Sequence, residues 1–109
     1  FKLSYQPLNG KDEFAKVFNK PEQNIYTKNF RALTLKNGNE FRLGMILPKK
    51  NIKLAVHRSY IKRIIRNLSE DAFSDLQISL IVLSKKKILD FKKENLRREI
   101  KSLLYKIER

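Results

Sequence analysis

Basic side chains are concentrated in one short stretch of the sequence. Residues 42–66 contain eight Lys and Arg residues and no Asp or Glu, namely Arg42, Lys49, Lys50, Lys53, Arg58, Lys62, Arg63 and Arg66. Like charges without neutralising partners repel one another, so this concentration destabilises a fold unless a polyanion compensates it. A nucleic acid is the polyanion that fits best, because Lys and Arg neutralise its phosphates and Arg binds them through two parallel hydrogen bonds.

The residues that catalysis or metal binding would require of the protein are scarce. The chain has no Cys and a single histidine, His57, which excludes disulfides and His/Cys clusters for zinc or iron–sulfur groups. We interpret His57 as a surface or RNA-facing side chain rather than a general base, because the pattern offers it no Asp or Ser partner. Asp12 and Glu13 fall at a predicted helix N-terminus, where they complement the helix dipole. Gly38 and Gly44 are too isolated for a phosphate-binding loop, so we predict no catalytic residue and no metal ligand.

Length and composition favour one folded basic domain spanning residues 1–109. The chain carries 25 Lys and Arg against 11 Asp and Glu, a net charge of +14, and 41% hydrophobic residues, enough for a modest core. No apolar run approaches the ~20 residues needed to cross a bilayer, and the start lacks the apolar region of a signal peptide. We therefore expect a cytoplasmic protein. Because the chain starts at Phe1 and not at Met, we also expect that at least one preceding residue has been trimmed.

The first half of the chain predicts a helix followed by two strands. Phe14, Val17 and Phe18 have helical spacing within a helix over Leu8–Phe18. The segment Ile25–Leu35 is rich in β-formers and ends at Asn37-Gly38, which predicts a hairpin turn. The return strand, Phe41–Leu47, alternates apolar and other residues and stops at Pro48, and the basic segment 49–53 is predicted to be a loop.

The second half predicts helix, strand and helix. From Ala55 a two-sided helix begins, with a core-facing stripe of Ile61, Ile64, Ile65 and Leu68. Its other face carries Arg58, Lys62 and Arg66 one turn apart, an edge about 12 Å long, with Ser59 and Arg63 beside them. The short apolar run Leu76–Leu83 is typical of a central strand covered on both faces. A last helix over Asp90–Ile107 places Leu96, Ile100, Leu103, Leu104 and Ile107 at helical spacing. This order predicts an α+β domain with helices packed on one sheet.

Two further sets of residues have more than one interpretation. Phe14 and Phe18, one turn apart, either pack in the core or form a platform on which unpaired bases stack. Tyr26, Phe30 and Phe41 pose the same alternative, since aromatic residues on strands cover a core as readily as a ligand. The run of three lysines from Lys85 is a solvated loop or a further RNA contact.

Four segments carry a family pattern: Glu13-Phe14-Ala15-Lys16-Val17-Phe18, Arg42-Leu43-Gly44, Pro48-Lys49-Lys50-Asn51 and the helix from Ala55 to Arg66. Together they resemble the bacterial ribonuclease P protein subunit, whose signature combines E-F-x-x-V-F, R-(hydrophobic)-G, a K-K loop and a helix with R-N-R-x-K-R-x-x-R. The resemblance covers nearly the whole chain. The chain departs from the signature at Arg58-Ser59-Tyr60, where the motif's Asn and second Arg are replaced, and upstream of the first helix, where a basic cluster is missing.

The resemblance implies a fold and a division of labour. It implies an α/β sandwich with a mostly antiparallel sheet of about four strands, three helices and a left-handed β-α-β crossover through the second helix, whereas general topology rules favour a right-handed one in ~98% of cases. It further implies that a catalytic RNA with bound Mg²⁺ cleaves the 5′ leader from precursor tRNA, that the protein alone binds no cofactor, and that its partners are these two RNAs, with no membrane and no obligate protein partner.

The same resemblance assigns roles to individual residues. Those expected to face the catalytic RNA are Lys49, Lys50, Lys53, Arg58, Ser59, Lys62, Arg63 and Arg66. Phe14 and Phe18 correspond to the aromatic residues of the family's central cleft, which receives the single-stranded leader. The alternatives are a ribosomal or ribosome-assembly protein of similar charge without processing activity, and a protein-only nuclease, which has little support in the sequence.

Overall fold

The structure, a computed structural model, describes residues 6–8 and 10–108. Within these residues the chain forms five strands and three helices in the order β1 (Gln6–Pro7), α1 (Gly10–Asn19), β2 (Gln23–Tyr26), β3 (Phe30–Lys36), β4 (Arg42–Ile46), α2 (Ala55–Phe73), β5 (Ile78–Ser84) and α3 (Lys93–Tyr105). The predicted α+β fold class with three helices is confirmed. Of the predicted helix over Leu8–Phe18, Asn9 lies outside the described residues, and α1 begins at Gly10.

All five strands belong to one mixed sheet, with the order β1-β4-β5-β3-β2. Strand β5 lies at its centre, antiparallel to β3 and parallel to β4. Because β4 and β5 are parallel neighbours, α2 is the crossover that connects them, as expected; the hand of this crossover stays a prediction. Four strands have four or more residues, and the fifth, β1, adds a two-residue parallel pairing to β4.

Two predictions about the strands are wrong. The segment Ile25–Leu35 is not one strand, because the chain turns at 27–29 and forms the antiparallel hairpin β2–β3. Asn37-Gly38 does form a turn, and Gly38 has a φ of +67° that favours glycine, but it does not join paired strands. The most apolar strand, β5, lies between β3 and β4 and takes the hydrogen bonds that a hairpin would have used.

The sheet is packed on both faces. On one face, α2 and α3 cover the larger core, to which β5 contributes Leu80 and Val82, while α1 packs on the opposite face against Leu33 and Ile81. Three consecutive residues of β5, Leu80–Val82, have no exposed surface, as predicted for a strand buried on both sides. The apolar stripes of α2 and α3 are also confirmed, since Ile61, Ile65 and Ile100 are fully buried. The apolar stripe of α2 therefore faces the core, while Lys62 and Arg63 are exposed to solvent.

Candidate nucleic-acid interface

Helix α2 presents its basic residues at its surface. Lys62 and Arg63 are exposed, whereas Arg58 and Arg66 are partly buried. The only ion pairs that we find among the described residues join Arg42 to Glu13 and Glu40, and Lys92 to Asp90, so none involves this helix. The charge on this face of α2 is therefore available to an external anion.

The basic loop before α2 is anchored at several points. Ile52 is buried in the main core, and the Asn51 amide donates hydrogen bonds to the carbonyl oxygen and the hydroxyl of Ser84, at 3.2 and 3.0 Å. The exposed Lys49, Lys50 and Lys53 are thus carried by a backbone of defined shape. Preorganised cations lose less conformational entropy on binding than flexible ones.

Arg58 has a structural role in addition to its charge. Its Nη1 donates hydrogen bonds to the carbonyl oxygens of Ile52 and Lys53, at 2.9 and 3.0 Å, and so closes the basic loop onto the first turn of α2. Arg66 differs, since its Nε is buried without a hydrogen-bond partner in the described residues. Ser59 is exposed next to Arg58. The eight predicted RNA-facing residues therefore lie on one loop and the helix that follows it.

Arg42, the first residue of the basic stretch, belongs to another surface. Its guanidinium pairs with Glu13 of α1 and, at 3.4 Å, with Glu40. Glu13 therefore pairs with Arg42 as well as standing in the first turn of its helix. A cavity of about 340 Å³ lies here between α1 and the sheet, with both Glu13 and Arg42 in its lining. The sequence treats all eight cations alike, but the structure neutralises this one.

The two aromatic residues of α1 have different environments. Phe14 is partly buried and packs on the smaller core, with its ring against Gly44 of β4. Phe18 has 36% of its surface exposed. Among the other aromatic residues, Phe30 and Phe41 are core residues, while Tyr26 is 52% exposed. Phe14 thus has a packing role whatever else it does, and Phe18 is accessible to a ligand.

His57 packs against Phe91, an aromatic residue distant from it in the sequence. Its ring stacks on Phe91, with centroids 3.6 Å apart and planes 2° from parallel. Tyr60 meets the same Phe91 ring edge-on, at 6.1 Å. These contacts join the first turns of α2 to the segment preceding α3, and no sequence motif marks that pairing.

The described residues contain neither a metal-binding cluster nor a membrane-spanning helix. No group of three or more His, Asp or Glu side chains there is close enough to hold a metal ion. None of the described helices combines the length and apolar character needed to span a bilayer.

Comparison with known proteins gives a consistent family assignment. The sequence model described as Ribonuclease P matches residues 4–108. A ribonuclease P protein component of Psychrobacter is 34% identical over 97 residues, covering 87% of this chain and 75% of the relative. One from Pseudomonas aeruginosa is 42% identical over 55 residues, or 50% of this chain and 41% of the relative.

Solved structures agree in fold. A Staphylococcus aureus RNase P protein superposes with a TM-score of 0.76 at 24% identity, covering 91% of this chain and 92% of the other. The Thermotoga maritima RNase P protein gives a TM-score of 0.72 at 23% identity, covering 94% and 98%. The family model, the relatives and the fold together show that the chain belongs to the bacterial ribonuclease P protein family, whose members are components of that ribonuclease.

Proposed function

We propose that the chain binds the catalytic RNA of ribonuclease P through α2 and the basic loop before it, and helps that RNA to remove the 5′ leader of precursor tRNA. The observation that carries the proposal is the basic face of α2. Lys62 and Arg63 are exposed on it, while Ile61 and Ile65 on its other face are fully buried. A cationic edge on a rigid helix can follow a phosphate backbone, which is how structured RNA is mostly recognised.

The leader is proposed to bind on the other side of the sheet, at α1. Phe18 has a partly exposed ring. Phe14 lies one helical turn before it on α1, with its ring packed against Gly44. Single strands bind through base stacking on aromatic rings. Two RNA surfaces on opposite faces of one sheet would let the protein hold the catalytic RNA and the substrate at the same time.

The hydrolytic chemistry is assigned to the RNA in this proposal. As the family resemblance implies, Mg²⁺ would be held mainly by the RNA, and a chain with a net charge of +14 is suited to neutralising phosphates rather than to binding cations. The protein then acts by neutralising phosphates and positioning the substrate. Its contribution should be largest at low Mg²⁺, where RNA charge is least screened.

Reconstitution tests the proposal directly. The protein is added to its cognate catalytic RNA at low Mg²⁺, and 5′ cleavage of precursor tRNA is measured with and without protein. Stimulation is expected, and cleavage no faster than with RNA alone would refute the proposal. Cleavage by the protein without RNA would instead revive a protein-only nuclease.

A matched pair of variants tests the surface. Replacing Lys62 and Arg63 with Ala removes two exposed charges. The fall of log K with log salt should become less steep by about 1.4 to 1.8, and affinity near 0.1 M salt should decrease roughly 40-fold. Lys101→Ala with Lys106→Ala removes two exposed charges from the α3 side as a control. Equal slopes for both double variants would show that the α2 face is only solvated. Arg58 is a poorer target, because its loss also releases the basic loop.

A further inference from the structure

A pocket of about 250 Å³ lies where α3 begins beside the first turns of α2. It is lined by Val56, His57, Ser59, Tyr60, Arg63 and Lys93. The lining combines two cations, a hydroxyl and aromatic surface, and no carboxylate is among these described residues. The cavity beside α1 differs, because it contains the carboxylate of Glu13.

The Tyr60 ring lies within cation–π distance of both cations of this pocket. Lys93 Nζ lies 5.2 Å from the centroid of the Tyr60 ring, and the Arg63 guanidinium carbon lies 5.8 Å from it. Both distances are within the range of a cation–π interaction. The Tyr60 hydroxyl also donates a hydrogen bond of 3.4 Å to the carbonyl oxygen of Lys93. One aromatic ring therefore contacts a cation from α2 and a cation from α3 beside the same cavity.

Phe91 positions the segment that carries Lys93. Its ring stacks on His57 at 3.6 Å and meets Tyr60 edge-on at 6.1 Å. Phe91 is partly buried and packs against the main core. Only Lys92 separates Phe91 from Lys93, so these ring contacts keep the start of α3 beside α2.

The pocket lies at the point where the chain departs from its family's signature. The signature has an Arg at the position of Tyr60. This chain therefore has one cation fewer in the first turns of α2. We infer that the Tyr60–Lys93 pair replaces that arginine, and that the pocket binds a phosphodiester group of the catalytic RNA. The inference rests on the proposed function of α2 and adds α3 to the RNA-binding surface.

The chemistry of the pocket favours this ligand. An ammonium, a guanidinium and a serine hydroxyl are donors that a phosphate accepts from, and together they neutralise its charge. The exposed Val56 offers an apolar surface to the adjoining sugar. The catalytic RNA is the expected source of the phosphate, because Arg63 and Ser59 are shared with the face of α2 that we assign to it.

Salt-dependent binding of the full protein to its cognate catalytic RNA tests the inference. Lys93→Gln should make the fall of log K with log salt less steep by about 0.7 to 0.9, which weakens binding about six-fold near 0.1 M salt. Lys101→Gln is the control, since it removes one exposed charge from the same helix two turns further on. Equal slopes for these two variants would refute the role of Lys93.

Restoring the arginine gives a sharper test. In the Lys93→Gln background, Tyr60→Arg returns a cation to the pocket from α2, and binding should recover to within about two-fold of wild type. Thermal melts of each variant show that it is folded. A folded Tyr60→Arg/Lys93→Gln variant that binds no better than Lys93→Gln alone would overturn the replacement.

The outcomes separate this inference from the proposed function. If the Lys62/Arg63 double variant loses affinity and Lys93→Gln matches its control, only the pocket assignment fails. If neither affects binding, the proposed function fails as well. If Lys93→Gln leaves binding to the catalytic RNA intact but weakens precursor tRNA binding to the assembled holoenzyme, the phosphate belongs to the substrate and the assignment to the catalytic RNA is wrong.

Discussion

Gly44 lies directly beneath Phe14, and replacing it with alanine should push α1 away from the sheet. The added Cβ would lie 2.8 Å from Cζ and 2.9 Å from Cε1 of Phe14, and 3.0 Å from Cδ1 of Leu8. Carbon atoms in contact are normally about 3.5 to 4.0 Å apart. The ring therefore has to move by about 1 Å, and either α1 follows it or the ring leaves the sheet.

The energetic cost follows from this overlap. Overpacking a buried site by one methyl group costs about 1 to 3 kcal/mol, and Gly44 is buried between strand and helix. We expect Gly44→Ala to lower the free energy of unfolding by about 2 kcal/mol and the melting temperature by roughly 8 °C. Urea denaturation followed by circular dichroism measures the first quantity and a thermal melt the second.

A double-mutant cycle with Phe14→Leu decides whether the ring is the cause. Leucine is shorter than phenylalanine and leaves room above residue 44, so Gly44→Ala should cost less than about 1 kcal/mol in that background. A coupling of about 1 kcal/mol or more is typical of side chains in direct contact. If Gly44→Ala costs the same with Phe14 and with leucine, contact with the aromatic ring is not the reason for a glycine at this position.

Three further changes have defined expectations. Glu99→Gln should lower the free energy of unfolding by about 1 to 3 kcal/mol, because the carboxylate accepts hydrogen bonds from Thr27 Oγ1 and from the backbone and side-chain amides of Asn29; an unchanged urea midpoint would contradict this. Ser69→Ala should raise stability by up to about 1 kcal/mol, since its buried Oγ has no partner among the described residues, and a lower melting temperature would count against it. Phe18→Ala should weaken holoenzyme binding to precursor tRNA with a long leader by about 1 to 3 kcal/mol with little effect on mature tRNA; equal loss for both would favour a packing role.

The helices could be predicted because each carries its own signal. The spacing of Ile61, Ile64 and Ile65 is sufficient to define which face of α2 is buried, and the structure buries these three residues. Leu96 and Ile100 do the same for α3. Local periodicity needs no knowledge of neighbours, so a single sequence is enough.

The order of the strands could not be predicted in this way. Asn37-Gly38 is a genuine turn signal, and Gly38 has the positive φ that such a turn requires. Which strands pair depends on where β5 inserts into the sheet, and β5 is separated from β4 in the sequence by the whole of α2. Its apolar run predicts a central strand but does not name its neighbours.

The candidate interface shows the same division between local and long-range information. The eight cations without an acid in residues 42–66 point to the basic loop and the first three turns of α2 as a candidate interface, because charge is a property of one continuous stretch. Counting charges assigns Arg42 to the same surface, whereas Glu13 and Glu40 neutralise it in the fold. Lys93 is omitted by the same count, although it lies 5.2 Å from the Tyr60 ring. The set of cations proposed to bind RNA therefore excludes Arg42 and includes Lys93, and only the contacts in the fold show this. Because a phosphate responds to local charge rather than to the total, the salt dependence of RNA binding should follow the set defined by the fold.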